Sequence, residues 1–94
     1  MRVIYKYPIN LIATPHSIPD GYQVVKVEIQ PGTGPCMWAL VDTSAPTRER
    51  VFGVMPTGQA ILPGFKYLGS WQQPPYVWHL FDITDNQQLN SEGE

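Results

Sequence analysis

Residues 22–42, with the sequence YQVVKVEIQPGTGPCMWALVD, decide the fold class of this chain. Apolar and polar residues alternate from 22 to 30, which is typical of a half-buried antiparallel strand. Residues 31–35 contain only Pro, Gly and Thr, a composition that predicts a hairpin loop. Residues 36–42 are apolar on both faces, so we expect a central strand covered on two sides.

Similar short patterns continue along the rest of the chain, with turn residues every eight to twelve positions. Six or seven short strands therefore predict an all-β fold, a small antiparallel sandwich or partly open barrel. Residues 56–64 have room for one short helical turn. The alternation also assigns faces. It predicts that Val25, Val27 and Ile29 point inward, and that strand 65–71 carries its three aromatic residues on one face.

Proline spacing and length limit the organisation further. The chain has 94 residues and ten prolines, spread so evenly that a helical bundle is excluded. This length fits one domain, which we place at residues 1–83, followed by a disordered polar and acidic tail at 84–94. A domain this small is marginally stable alone and has exposed sheet edges, so we expect a homo-oligomer, a dimer or larger.

Charge and cysteine content exclude several classes of function. Six Lys and Arg residues face eight Asp and Glu residues without any basic cluster, which argues against binding to polymeric DNA or RNA. There is no basic amphipathic helix, no spanning apolar run and no signal-peptide pattern, so we expect no membrane association. One cysteine and two isolated histidines give no ligand spacing, so we predict no metal and no cofactor.

Three residues could carry polar chemistry. Cys36 precedes the most apolar strand and is interpreted as a buried thiol that behaves as a small hydrophobe. His79 lies between apolar neighbours; it could bind a ligand, act as a general base, or be a structural histidine satisfied by the backbone. His16 is expected to be exposed.

The aromatic content is the most informative feature for function. Three Trp, five Tyr and three Phe residues are more than so small a core can conceal, so some rings should be available to a partner. Arg48 and Arg50 begin a strand, either as a solvated edge or as a grip for a phosphate or carboxylate. The candidate ligand-binding residues are Trp38, Tyr67, Trp71, Trp78, His79, Arg48, Arg50 and Lys6.

Five blocks of sequence resemble a family of small phage-encoded proteins that is known as a domain of unknown function. The resemblance implies a phage or prophage origin and residence in the cytoplasm of an infected bacterium, and it implies no known activity. The family pattern has a histidine after the Thr57–Gly58 pair, where this chain has Gln59, so no role of that histidine is transferred. The blocks are YKYP at 5–8, WALVD at 38–42, FG at 52–53 with TG at 57–58, YLG at 67–69, and VWHLF at 77–81.

These observations favour a non-enzymatic phage accessory protein that antagonises host antiviral defence. It would either sequester a small nucleotide signal, by aromatic stacking with cations on the phosphates, or occlude a host defence protein. A virion structural or decoration protein is the alternative. A small hydrolase that uses His79 with Cys36 or Asp82 is the third hypothesis.

Overall fold

The computed structural model describes residues 1–86, and within that range the chain forms seven β-strands and no helix. The predicted all-β fold is therefore confirmed. The strands are β1 (Arg2–Pro8), β2 (Thr14–Pro19), β3 (Gln23–Gln30), β4 (Gly34–Asp42), β5 (Thr47–Pro56), β6 (Lys66–Gln73) and β7 (Tyr76–Asp82).

Two antiparallel sheets make up the sandwich. One has three strands in the order β1-β4-β3, and the other has four in the order β2-β5-β7-β6. The β3–β4 hairpin and the central position of β4 agree with the sequence prediction. The expectation that β4 is covered on two sides is wrong, because Trp38 and Leu40 on its outer face are only half-buried. Residues 1–86 form only two layers, so no third layer among them covers these side chains.

The hydrophobic core lies between the inner faces of the two sheets. Strand β4 contributes Met37, Ala39 and Val41, which the alternation of a strand places on one face. The opposite sheet contributes Phe52 from β5 and Leu80 from β7. These side chains are almost fully buried, so they contribute to the apolar burial that stabilises the sandwich.

A β-bulge in β3 overturns one predicted orientation. The register with β4 shifts between Val24 and Lys26, so Val25 is an extra residue without a partner on the neighbouring strand. Its side chain is 50% exposed, whereas Val24 packs against the core in its place. Val27, beyond the bulge, packs against the core as predicted.

A second bulge, in β6, separates the aromatic residues that the alternation places together. The register with β7 shifts between Tyr67 and Gly69, so Leu68 is the extra residue. As a result, Tyr67 is 56% exposed while Trp71 is buried in the core at 4% exposure. The prediction of three aromatic residues on one face of this strand is wrong, because one extra residue reverses every later orientation.

The segment between β5 and β6 contains turns and no helix. Two residues there, Gly58 and Gly64, have positive φ values of 96° and 88°, which are incompatible with an α-helical turn at those positions. Asp85 and Asn86 lie against Gly64 in this segment, and Asn86 is only 6% exposed. The rest of the predicted tail, residues 87–94, lies outside the described residues. No helix in residues 1–86 is long and apolar enough to cross a membrane.

Candidate functional site

The three tryptophans predicted to bind a ligand do not line one pocket. Trp71 lies in the core, directly opposite the half-buried Trp78 on β7. Trp38 lies on the outer face of the three-stranded sheet, where the Lys26 ammonium stands 5.8 Å from the ring centroid. Two of the three indoles are therefore partly accessible, but on different parts of the molecule.

The predicted cations are also dispersed, and each has a partner within the chain. Lys6 donates to the side-chain oxygen of Gln30 at 2.7 Å, near Trp38 on the three-stranded sheet. Arg48 Nε lies 2.6 Å from a carboxylate oxygen of Asp20. Arg50 instead points inward, and its Nε lies 2.9 Å from the buried carboxylate of Asp82, a contact that the sequence did not predict.

Tyr67 and His79 are brought together on the outer face of the four-stranded sheet, with two residues that the sequence analysis did not single out. Tyr67 Oη lies 2.7 Å from Ser70 Oγ, and Ser70 Oγ lies 2.7 Å from His79 Nδ1. On the other side of the ring, His79 Nε2 lies 2.9 Å from Thr57 Oγ1. We call these four residues the hydroxyl–imidazole chain.

Strand register and the β6 bulge bring the residues of the hydroxyl–imidazole chain together. Ser70 and His79 are directly opposite each other on β6 and β7, so their side chains share a face. Tyr67 and Ser70 are three residues apart, and a regular strand would place them on opposite faces. The extra Leu68 brings both to the outer face. Thr57 is added by the turn that follows β5.

With a neutral imidazole, one assignment of the protons satisfies every hydrogen bond in the hydroxyl–imidazole chain. Thr57 donates its single hydroxyl proton to the Val77 carbonyl at 3.2 Å, so its oxygen accepts from His79 Nε2–H. In the neutral imidazole Nδ1 is then an acceptor, and it receives the Ser70 proton. Ser70 Oγ in turn accepts from the Tyr67 hydroxyl. Both ring nitrogens of His79 are thus satisfied by side-chain hydroxyls.

A second candidate site is the cleft between β3 and β6. Two adjoining cavities of about 200 and 170 Å³ share Tyr22 and Lys66 as lining residues, and we call them together the Tyr22–Lys66 cleft. Lys66 Nζ stands 5.6 Å from the centroid of the Tyr22 ring. The first cavity is completed by Val24 and Leu68, and Arg50 lines the second.

The two bulges open this cleft. At the position of Gly69, β3 and β6 touch so closely that an added Cβ would lie 2.6 Å from a methyl carbon of Val27. The register shifts in β3 and β6 both lie beside this contact. A bulge bends its strand and increases the local twist. We attribute the cleft to this bending, because it separates strands β3 and β6 beyond the contact between Val27 and Gly69.

A buried carboxylate supports the floor of the cleft. Asp82, 1% exposed, accepts from the Tyr22 hydroxyl at 2.5 Å and from Arg50 Nε at 2.9 Å. Its second oxygen accepts from the backbone and side chain of Thr84 at 3.0 and 2.6 Å. Burial by itself raises the pKa of Asp82, but these hydrogen bonds outweigh it and hold the pKa below its usual value. Burial, together with this carboxylate, raises the pKa of Tyr22.

A comparison of the sequence with known families finds a match over nearly the whole chain. The model of the family described as "Domain of unknown function (DUF7352)" matches residues 1–91. The chain belongs to the DUF7352 family. The expected membership of a family of unknown function is confirmed. No curated protein and no solved structure matches the chain.

Three of the sequence blocks quoted in the sequence analysis meet in the hydroxyl–imidazole chain. Thr57 comes from the TG block, Tyr67 from the YLG block and His79 from the VWHLF block. The residue after the TG pair, Gln59, donates to the Met55 sulfur at 3.2 Å, and Met55 lies opposite His79. Gln59 therefore lies beside the same cluster.

Other predicted polar residues of this DUF7352 domain lie away from that cluster. Cys36 is fully buried, as predicted, and contacts Gln30 and the Gly34 carbonyl rather than His79. His16 is half-buried rather than exposed, since its ring packs on Phe52 at 5.5 Å. Residues 1–86 contain no group of three or more His, Cys, Asp or Glu that could hold a metal ion.

Four residues of the two sites were missed by the sequence analysis: Ser70, Thr57, Tyr22 and Lys66. Their positions in the chain show no fixed spacing, because they are joined only by strand register and by the contact between the sheets. Gly69 was the one feature of the sequence that could have indicated these sites. A glycine inside a strand pattern indicates a bulge or a close backbone approach, and here it marks both.

Proposed function

We propose that this DUF7352 domain is a non-catalytic binding module that captures a small phosphate-bearing ligand in the Tyr22–Lys66 cleft. The observation that carries the proposal is the position of Lys66. Its ammonium group lies at the wall shared by both cavities, and it has no carboxylate partner among residues 1–86. A phosphate placed there would form a charge-assisted hydrogen bond with this group.

Lys66 rather than Arg50 is the cation that a ligand would meet. Arg50 is already bound to Asp82 and also lies 3.2 Å from a carboxylate oxygen of Asp85. Its role is to hold the Asp82 carboxylate in place, which in turn fixes the Tyr22 hydroxyl. The Tyr22 ring is therefore held ready, and ordering it on binding costs little entropy.

The size of the cleft limits the ligand. Cavities of about 200 and 170 Å³ are at the lower end for small-molecule sites, which usually span about 300–1,000 Å³. A ligand of nucleotide size would be only partly enclosed. The apolar side chains of Val24 and Leu68 would contact its flat part while Lys66 holds its phosphate. In a phage-infected bacterium such a module would sequester a nucleotide signal of host defence.

Thermal stability in the presence of ligands tests this proposal. We expect at least one member of a panel of cyclic nucleotides to stabilise the protein by about 2.7 kcal/mol at a hundredfold excess over its Kd. Lys66→Ala should abolish this stabilisation. Lys26→Ala is the matched control, since Lys26 also lies over an aromatic ring but on the other sheet. The proposal fails if no nucleotide stabilises the protein, or if both variants respond equally.

A second candidate function, occlusion of a host protein, is favoured by the outer face of the three-stranded sheet. Ile4 and Val25 there are 57% and 50% exposed. Trp38 lies on the central strand between Lys6 and Lys26, which pair with it from the two neighbouring strands. Exposed apolar area beside lysines suits a partner whose surface is acidic at its rim.

An assay in bacteria separates the two modes. The chain is expressed in a bacterium whose defence uses a nucleotide signal, and phage plating is compared between variants. Under sequestration, Lys66→Ala restores host defence while an Ile4→Asp, Val25→Asp double variant remains active. Under occlusion the outcome is reversed. If the wild-type chain changes no plating efficiency in any defended host, neither mode holds and the virion hypothesis takes precedence.

A further inference from the structure

The hydroxyl–imidazole chain on the outer face of the four-stranded sheet is chemically distinct from the cleft. It supports an inference that rests on its own contacts. A serine hydroxyl that donates to a neutral imidazole nitrogen is the arrangement that activates a serine as a nucleophile. In the hydroxyl–imidazole chain, Ser70 Oγ is the donor and His79 Nδ1 is the acceptor, and the two atoms are 2.7 Å apart. Neither residue is needed to fill the core, since both face away from it.

In a neutral His79, the proton positions assigned above leave Nδ1 as the base that this chemistry requires. Because Thr57 uses its only proton on the Val77 carbonyl, its oxygen holds the proton on Nε2 and leaves the Nδ1 lone pair for Ser70. If Thr57 donated to Nε2 instead, Nδ1 would carry the proton and could not act as a base. Thr57 is thus a positioning residue for the imidazole.

Tyr67 completes the arrangement from the other side of Ser70. Its hydroxyl lies 2.7 Å from Ser70 Oγ, and it donates to that oxygen because the serine proton points to the imidazole. A donor at this place stabilises negative charge that develops on Oγ as the proton leaves. Ser70 is half-buried, and Tyr67 beside it and Thr57 on the far side of the imidazole are both exposed, so a small molecule reaches the serine from solvent.

We propose that Ser70 is an acyl-accepting residue that is activated by His79. Ser70 Oγ attacks the carbonyl carbon of an ester, and its proton passes to His79 Nδ1. The new bond joins Oγ to the acyl carbon, the bond from that carbon to the leaving oxygen breaks, and the leaving alkoxide takes the proton from Nδ1. The products are O-acyl-Ser70 and an alcohol. This single step needs no turnover and is independent of ligand capture in the cleft.

Incubation with p-nitrophenyl acetate tests the proposal, with peptide mass mapping as the readout of the acetylated residue. We expect an acetyl group on Ser70 and release of one equivalent of p-nitrophenol. Ser70→Ala should remove that adduct. His79→Gln keeps a polar side chain of similar reach but lacks the base, and we expect it to slow acetylation by about 100-fold. Circular dichroism and melting curves confirm that each variant is folded.

Two controls make the result specific. Ser44 is a matched serine whose hydroxyl donates to the Asp42 carboxylate at 2.6 Å rather than to an imidazole, and we expect it to react far more slowly than Ser70. Thr57→Val should slow acetylation of Ser70 and Thr57→Ser should restore it, because only the hydroxyl accepts from Nε2–H. The proposal is overturned if Ser70 acquires no acetyl group, if it reacts no faster than Ser44, or if His79→Gln reacts at the wild-type rate.

Discussion

Asp82 is the residue on which most of the buried polar structure depends. Its carboxylate binds Tyr22, Arg50 and Thr84, and so ties β5, the end of β7 and the turn before β3 to one another. A buried carboxylate without such partners would be strongly destabilising. Here every hydrogen bond to it favours the charged form, which explains why its pKa is lowered in spite of burial.

Replacing Asp82 by Asn should therefore destabilise the fold by about 3 kcal/mol near neutral pH, because the Arg50 cation loses its buried partner. A carboxyl group whose pKa is lowered by folding stabilises the protein above its unfolded-state pKa, and that contribution is lost as the pH falls through the folded-state value. The difference between wild type and variant should thus shrink below about pH 4. Urea unfolding at several pH values measures it.

Asp20→Asn is the control for this experiment. It makes the same chemical change in an ion pair that is solvent-exposed, with Arg48, and exposed pairs contribute about 0–1 kcal/mol. If Asp82→Asn costs no more than Asp20→Asn at neutral pH, the buried network does not have the role assigned to it.

At the scale of strands, the two bulges explain where the sequence could predict the structure and where it could not. Alternation located the strands, because one face of each sheet is buried and a period of two is required there. Orientation was lost at Val25 and Leu68, since an inserted residue reverses the faces on one side of it relative to the other and leaves no trace in the apolar pattern. The β6 bulge also creates the Tyr67–Ser70 contact. Because the apolar pattern did not indicate this bulge, neither the orientation of the β6 side chains nor the contact could be predicted from it.

The contact between β3 and β6 gives a prediction at this scale. Gly69→Ala would place a Cβ 2.6 Å from Val27 Cγ2, and we expect a loss of about 1–3 kcal/mol in unfolding free energy. In a Val27→Ala background the same substitution should cost much less, because the clashing methyl is gone. Chemical unfolding of the four proteins in this cycle measures the coupling.

Gly53→Ala is the comparison for Gly69→Ala. Its added Cβ would lie 3.2 Å from the ends of two flexible side chains, those of Ile83 and Met55, which can move aside. A cost for Gly69→Ala that is no larger than for Gly53→Ala, or that persists unchanged without the Val27 side chain, would contradict the tight β3–β6 contact.

At the scale of the molecule, four strands lie at sheet edges, and they differ in how well they are protected. Strand β2 contains Pro15 and Pro19, and β3 and β6 are bulged and face each other. Prolines and bulges are common means of blocking edge-to-edge pairing. Strand β1 has a regular register from Arg2 to Pro8, so it is the edge best suited to pair with a second copy.

We therefore predict a dimer through antiparallel pairing of β1 with β1 of a second chain. Light scattering should give twice the mass of one 10.6 kDa chain at high concentration. Amide hydrogen exchange in residues 2–8 should slow as the dimer forms, while exchange in β2 stays independent of concentration. A constant monomer mass, or protection that appears at another edge, would disprove this interface.

Capture of a phosphate-bearing ligand in the Tyr22–Lys66 cleft can be followed on backbone amide NMR signals while a nucleotide that stabilises the protein is added. We expect the largest shifts on residues 22–24 and 66–68, the two segments that line the first cavity. They should disappear in Lys66→Ala. Shifts centred on Trp38 and the outer face of the three-stranded sheet, with none at the cleft, would contradict it.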